Sequence, residues 1–376
     1  MNNWIETELS SIIEIINGYA FKSKDFKEKG VPVIKIKNIK PQEIKLNVLS
    51  YVDKETIIGK EKWKINKGDI LITMSGNRSD GSPDSWVGKV AQFNKEGDYY
   101  LNQRLSILKP KVDYVNSTFL AYLLSSWDYQ LELINLSNSS GGQANISPEI
   151  VKQLKVLLPT LLEQESIADV LGSLDDKIDL LHSNNKSLEQ LAETLFRQWF
   201  VEKAKDSWET GILSDLITVK YGKDHKKLTD GNIPAYGSGG VMRMVNKALY
   251  NKESVLIPRK GTLSNIIYIN KPFWTVDTMF YTEMKKENIA KFIYQFIKEQ
   301  DLASMNVGSA VPSMTSEILN NLPITIPPDS VLEKFESKVS LFYKKVDNNL
   351  NSIKKLEALR DSLLPKLMSG AVRVEN

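Results

Sequence analysis

Two stretches of the chain share one spacing of apolar positions. Positions 167, 171, 174, 178, 181, 185, 188, 192, 195 and 199 advance by alternating fours and threes, and they read Ile, Leu, Leu, Ile, Leu, Asn, Leu, Ala, Leu, Trp. The positions 168 residues further on are Phe335, Val339, Phe342, Val346, Asn349, Ile353, Leu356, Arg360, Leu363 and Leu367. That alternation is the seam of a coiled coil, and eight of the ten positions in each run are large and apolar. The spacing predicts two long helices that pack on each other over about 48 Å at 1.5 Å per residue. A helix lying on its own globular domain is the plainer alternative, but it has no need of the same phase twice.

Between the helices the pattern changes. "VPVIKIKNI" (31–39), "GDILIT" (68–73), "GKVAQF" (88–93) and "LSILKP" (105–110) are short β-prone runs between turn residues. "STFLAYLLSSWDYQLELI" (117–134) and "NIAKFIYQFIKEQ" (288–300) predict amphipathic helices late in each globular segment. The fold class is therefore α/β (α+β), with two globular domains separated by two long antiparallel coiled-coil helices.

The segments repeat at about half the chain length. "GGQANISPEIVKQLKVLLP" (141–159) matches "GSAVPSMTSEILNNLPITIP" (308–327), so that Glu149, Leu154 and Pro159 fall on Glu317, Leu322 and Pro327. Each proline is expected to end a strand and open a helix, where no N–H is needed. "WIETELSSIIEIINGYAF" from Trp4 resembles "WETGILSDLITVKYGK" from Trp208, displaced by 204 rather than 168. The middles align loosely, through "GDILIT" and "ESVLIP" (253–258). The pattern divides the chain into a globular domain over 1–158, a helical spacer over 159–205, a second globular domain over 206–326 and a second spacer over 327–376.

Charge sharpens the picture. The net charge of +3 is small, but residues 22–67 hold 13 Lys against 6 acids, and residues 220–261 hold 9 Lys or Arg against 3 acids. Residues 160–200 reverse the balance, with 8 acids against 3 bases, and 328–368 carry 8 bases against 6 acids. Two basic domains flanking an acidic helix point to two sites for a polyanion. Cysteine is absent, which removes disulfides and thiolate metal sites and fits a reducing cytoplasm. The start "MNNWIETELSS" has no signal-peptide character, and no apolar run approaches 18 residues, so no membrane association is expected.

No catalytic constellation is evident, and neither a cofactor nor a metal site is expected. A methyltransferase acting on a flipped adenine would need an Asn/Asp-Pro-Pro-aromatic tetrad, and the nearest string is "IPPD" (326–329). Pro328-Asp329 with Glu336-Ser337-Lys338 has a nuclease-like spacing but straddles the start of a helix. There is no Walker loop, and His182 and His225, the only histidines, lie in different segments.

With "IPAYGSGGVMR" (233–243), "VLIPRKGT" (255–262), "EQESIADVLGSLDDKIDLL" and "SLEQLAETLFRQWF" in view, the whole chain resembles the specificity (S) subunit of a Type I DNA restriction–modification enzyme. The resemblance implies a non-catalytic DNA-binding subunit. Each target-recognition domain would read one half of a split double-stranded DNA site, while the helices set the gap and dock two methyltransferase (M) subunits. Motor-nuclease (R) subunits would join for restriction. A coiled-coil scaffold, or a free-standing DNA-binding regulator, is the alternative.

Base-reading residues are sought among polar loops, since lysines on phosphates position a protein without specifying sequence. The first domain offers "TMSGNRSDGSPDSW" (73–86) and "NQR" (102–104). Arg78 and Arg104 suit guanine, and Asn77, Asn102 and Gln103 suit adenine, with Ser75 beside them and Lys35 and Lys37 for phosphates. The second offers Tyr236, Ser238, Arg243, Arg259, Lys260 and Thr262, with Gly237, Gly239 and Gly240 allowing close backbone approach. If the helices pack antiparallel about the seam centres, the numbers of facing residues add to 534. Asn185 then meets Asn349, Ala192 meets Phe342, and Arg360 falls beside Leu174, near Asp175 and Asp176.

Overall fold

The computed structural model describes residues 4–78, 82–140, 143–305 and 312–374. Residues 79–81 of the first candidate loop, and residues 141, 142 and 308–311 of the repeat, lie outside that set. The chain forms two compact units, one of residues 1–179 with 353–376 and the other of residues 180–352. Each contains part of both long helices, Leu161–Arg197 and Asp329–Met368.

The helices begin where the prolines allow. Strand Lys155–Leu158 ends before Pro159, and the Thr160 hydroxyl accepts from the Glu163 N–H at 3.3 Å. Strand Pro323–Ile326 ends before Pro327, and the Pro328 carbonyl takes the Val331 N–H at 2.9 Å. All twenty seam positions are buried or half-buried. The first helix closes in a π-helical turn, Gln198–Glu202, whose Phe200 ring packs edge-on to Phe335 at 4.9 Å.

In the first unit, strands 90–92, 70–73, 105–110 and 13–17 form an antiparallel sheet in that order. A second sheet orders strands 26–27, 50–52, 31–34, 99–101 and 64–65, with 31–34 and 99–101 parallel. Leu9, Phe119, Leu133, Ile167, Leu171 and Leu367 share one core, so both long helices pack on this domain. Two expectations need correcting. The apolar run 31–39 stays extended only to Ile34. Buried Asn38 then takes over, accepting from the Lys35 N–H at 2.9 Å and donating to the Lys45 and Val48 carbonyls, which bends the chain into a 3-10 turn at 36–38. The helix expected over 117–134 is two helices, Ser117–Ser125 and Trp127–Leu136, because Ser126 is extended at φ −66°, ψ 155° and caps the second.

The second unit repeats the plan. Strands 217–221, 279–284, 254–258 and 267–269 form its antiparallel sheet, and strands 240–245, 233–237 and 274–275 a smaller one, with the last two parallel. Buried Glu336 of the second long helix accepts from the Lys291 and Phe292 N–H groups at 2.7 and 3.0 Å, and the Lys291 ammonium lies 3.2 Å from its other oxygen. Burial raises the Glu336 carboxyl above the ordinary range, against the Lys291 charge that lowers it. This cluster joins the helix to Ala290–Glu299.

The repeat is visible bond by bond. Leu9 N–H donates to the Leu154 carbonyl and Leu213 N–H to the Leu322 carbonyl, both at 2.9 Å, and these pairs are displaced by 204 and 168. Ile5 pairs with Leu158 as Glu209 pairs with Ile326, at the same two displacements.

Candidate nucleic-acid interface

Three loops emerge side by side in the first unit. They are residues 35–38 after strand Val31–Ile34, residues 74–78 after Ile70–Thr73, and the turn 102–104 between Tyr99–Leu101 and Leu105–Pro110. Asn102 N–H donates to the Ile34 carbonyl at 3.1 Å, and Met74 N–H to the Arg104 carbonyl at 2.9 Å, so the turn holds the other two loops. Gly18 lies against it so closely that an added Cβ would sit 1.9 Å from the Asn102 carbonyl oxygen.

The second unit builds the same three loops. Val276 N–H donates to the Tyr236 carbonyl at 3.0 Å, and Arg259 N–H to the Thr278 carbonyl at 2.8 Å. A Cβ on Gly222 would lie 2.0 Å from the Val276 carbonyl oxygen. Hydrogen bond for hydrogen bond, Ile34 corresponds to Tyr236, Met74 to Arg259, Asn102 to Val276 and Arg104 to Thr278.

The candidates of the first unit fare unequally. Lys37, Gln103 and Arg104 are exposed. Lys35 is half-buried with its ammonium 3.2 Å from the Phe26 ring centroid, and burial, aided by the Lys37 charge, lowers its pKa. Asn102 is half-buried, its backbone committed to the turn. Asn77 is exposed but donates its amide to the Ser85 hydroxyl at 3.1 Å. Arg78 spends one guanidinium nitrogen on the Ser137 carbonyl at 2.8 Å. Ser75 is buried and donates to the Asn145 side-chain oxygen at 2.7 Å, so its hydroxyl serves the interior.

Pattern reading missed Lys89, which is 2% exposed and immediately precedes the strand Val90–Gln92. Its ammonium donates to the Ile39 carbonyl at 2.8 Å and the Asp84 carbonyl at 2.6 Å, fastening loop 82–86 to strand Ile39–Lys40. Burial depresses its pKa to about 8. Beside it the Lys40 ammonium, 2.8 Å from the Asp84 carboxylate, holds that carboxyl below its usual range. A lone Lys between Gly88 and Val90 was the available signal.

In the second unit Lys260, Thr262 and Gly239 are exposed. Tyr236 is half-buried, and burial pushes its phenol up. Ser238 offers its carbonyl to the Asn265 amide at 2.8 Å. Three roles change. A Cβ on Gly237 would meet the Met242 sulfur at 2.5 Å, so this glycine serves the packing of its own hairpin, and the left-handed turn residue is Gly240 at φ +110°. Arg243 is held by the Leu228 carbonyl at 3.0 Å and the Asp230 carboxylate at 2.9 Å. Arg259 lies over the Tyr221 ring at 5.3 Å and donates to the Asp277 carbonyl at 3.1 Å, which makes it a support for the 276–278 turn.

Among the described residues no group of three or more His, Asp or Glu could hold a metal ion, and no helix is long and apolar enough to cross a membrane. The family model described as the Type I restriction modification DNA specificity domain matches residues 1–190 and 205–358. The chain belongs to that family. It carries two specificity domains, and each matched interval contains one of the three-loop ends. Curated relatives include the Type I restriction enzyme MjaIX specificity subunit of Methanocaldococcus jannaschii, 26% identical over 318 residues, or 73% of each chain. The putative type I restriction enzyme MjaX specificity subunit of the same organism is 23% identical across 99% of this chain and 94% of its own. The crystal structure of a Type-I restriction-modification system S subunit from M. genitalium shares the fold, with a TM-score of 0.60 at 19% identity over 98% of this chain and 97% of that one.

Proposed function

We propose that this chain is the non-catalytic reader of a Type I restriction–modification complex, with each specificity domain recognising one half of a bipartite duplex DNA site through its three-loop end. The observation that carries the reading is the equivalence of the two loop sets. The same hydrogen bonds build both, yet the tips carry different side chains: Lys37, Gln103 and Arg104 in one, Gly239, Asp277 and Thr278 in the other. A shared scaffold with divergent tips suits two readers of two different half-sites. The lysine-rich surfaces supply phosphate affinity, and the loop tips supply sequence. We assign residues 1–158 and 206–326 to reading. The spacers, 159–205 and 327–376, dock two M subunits, which carry the transfer chemistry, with R subunits added for cleavage, and the Asn185–Asn349 pair sets the helix register and so the gap between half-sites. Exchange of residues 1–158 for the equivalent segment of a relative tests this. Adenine methylation mapped genome-wide is expected to change in one half of the site only, and exchange of 206–326 in the other half only. A change in both halves from either exchange refutes two independent readers.

A further inference from the structure

Asp277 stands out once the halves are superposed by their hydrogen bonds. Leu105 N–H donates to the Asn102 carbonyl at 3.1 Å and Met279 N–H to the Val276 carbonyl at 3.0 Å, closing two equivalent tight turns. The first presents Gln103 and Arg104, and the second presents Asp277 and Thr278 at the same two positions. The Asp277 side chain is exposed, and no described residue partners its carboxylate. Its main chain, by contrast, is fixed: the Arg259 guanidinium donates to its carbonyl, and the Arg259 and Lys260 N–H groups both reach the Thr278 carbonyl, at 2.8 and 3.2 Å. A rigid turn, held by Arg259 and Lys260, thus displays a carboxylate that no described residue pairs.

An unpaired anion at a DNA-facing tip is repelled by every phosphate it approaches. It is tolerable only where it meets a donor, and a duplex offers donors on base edges. A carboxylate only accepts. In the major groove adenine sets an acceptor nitrogen beside its amine and guanine shows two acceptors, whereas the cytosine edge presents its N4 amine alone. We propose that the 276–278 turn is a base-reading element of the second specificity domain, with the Asp277 carboxylate accepting from the N4 amine of a cytosine. Arg259 is its positioning residue. The assignment rests on the DNA-reading function above, and it gives the second half-site a cytosine where the equivalent turn of the first domain offers Gln103 and Arg104 to adenine or guanine.

The test selects from a pool of duplexes with two randomised segments, using the full chain assembled with its methyltransferase subunits. Wild type, Asp277→Asn and Asp277→Glu are compared. Wild type is expected to select a two-part motif. Asp277→Asn is expected to lower discrimination for cytosine about tenfold at one base pair of one part, leaving the other part intact and the thermal midpoint unchanged, since no described contact of the side chain is lost. Asp277→Glu is expected to keep the cytosine. A wild-type chain that selects no two-part motif overturns the DNA-reading function itself. A two-part motif that survives Asp277→Asn with every cytosine preference unaltered overturns this inference alone. So does loss of both parts together, which would make the turn a structural element of the whole chain rather than a reader of one part.

Discussion

Asn349 donates its side-chain amide to the Asn185 side-chain oxygen at 2.7 Å, and the same nitrogen lies 2.9 Å from the Asn184 oxygen. Both seam asparagines are nearly inaccessible, at 7% and 3%. In the same unit Trp199 and Phe335, whose numbers also add to 534, have ring centroids 6.1 Å apart. Two pairs with the same sum, one rising along the first helix as the other falls along the second, define an antiparallel register.

Replacing Asn185 by Leu removes the buried acceptor but leaves Asn349 the Asn184 oxygen. The expected cost is therefore about 1 kcal/mol, at the low end of the 1–3 kcal/mol for a stranded polar group. Asn349→Leu leaves the Asn185 side-chain oxygen without its described donor and is expected to cost about 2 kcal/mol by the same reasoning. The double Leu variant should recover stability while loosening the register, as removal of a buried Asn pair does. Denaturant melts of the three variants check the order. Equal losses for both single variants would contradict the bifurcated geometry.

The seam was legible because a helix repeats every 3.6 residues, so twenty positions independently report one face. The repeat was legible at its ends, where strand, proline and helix recur in fixed order. Its middle was not, because five displacements coexist: 204 at Gly18 and Gly222, 202 at Ile34 and Tyr236, 185 at Met74 and Arg259, 174 at Arg104 and Thr278, and 168 at Leu154 and Leu322. Loops of different length change the offset without disturbing the hydrogen bonds. The candidate base-reading residues sit in those loops, have no period, and depend on neighbours far away in sequence. Arg78, Arg243 and Ser75 looked available because nothing local reveals that Ser137, Asp230 and Asn145 already hold them. Asp277 went unnoticed because it lies beyond the basic stretch 220–261, where a single acid among mixed charges reads as ordinary surface.

Arg104 and Arg78 should separate cleanly on this basis. Arg104 is exposed at a rigid turn, so Arg104→Ala is expected to relax one base pair of the first half-site by about 1–3 kcal/mol without altering folding. Arg78→Ala removes a charged donor from the Ser137 carbonyl and should lower stability by about 1 kcal/mol. Binding to a panel of singly substituted duplexes, alongside thermal melts, checks both. A destabilised Arg104→Ala protein with unchanged specificity would reverse the assignment.

Arg360 reaches Asp175 at 2.8 Å, and the Tyr122 hydroxyl donates to the same carboxylate. The arginine is the one charged seam residue, and its side chain is only 20% exposed. Burial and the Asp175 charge raise the Tyr122 phenol far above its ordinary value, so it stays a donor throughout the working pH range. A double-mutant cycle with Arg360→Met and Asp175→Asn should give a coupling of about 1 kcal/mol, above most surface pairs but tempered by the solvent that still reaches Asp175. A coupling near zero would mean that the seam tolerates the arginine through its aliphatic stem alone.

Lys89 gives the clearest pH signature. Its pKa falls from 10.5 in the unfolded chain to about 8 in the fold, because burial disfavours the charge. Below pH 8 both states carry the proton, and the native state bears the cost of the buried ammonium. Between about 8 and 10.5 the unfolded chain keeps a proton that the native chain has released, so the unfolded state binds more protons and stability rises with pH. Across that window the shift corresponds to roughly 2–3 kcal/mol. Lys89→Met leaves the Ile39 and Asp84 carbonyls unpaired, a loss that does not vary with pH. Unfolding free energies of both proteins, measured from pH 7 to 10.5, should therefore diverge in favour of wild type as pH increases. Subtracting the variant removes the other titrating lysines and tyrosines from the comparison. A difference that stays flat, or narrows, would show that the ammonium between the two carbonyls keeps its charge at no cost to the fold.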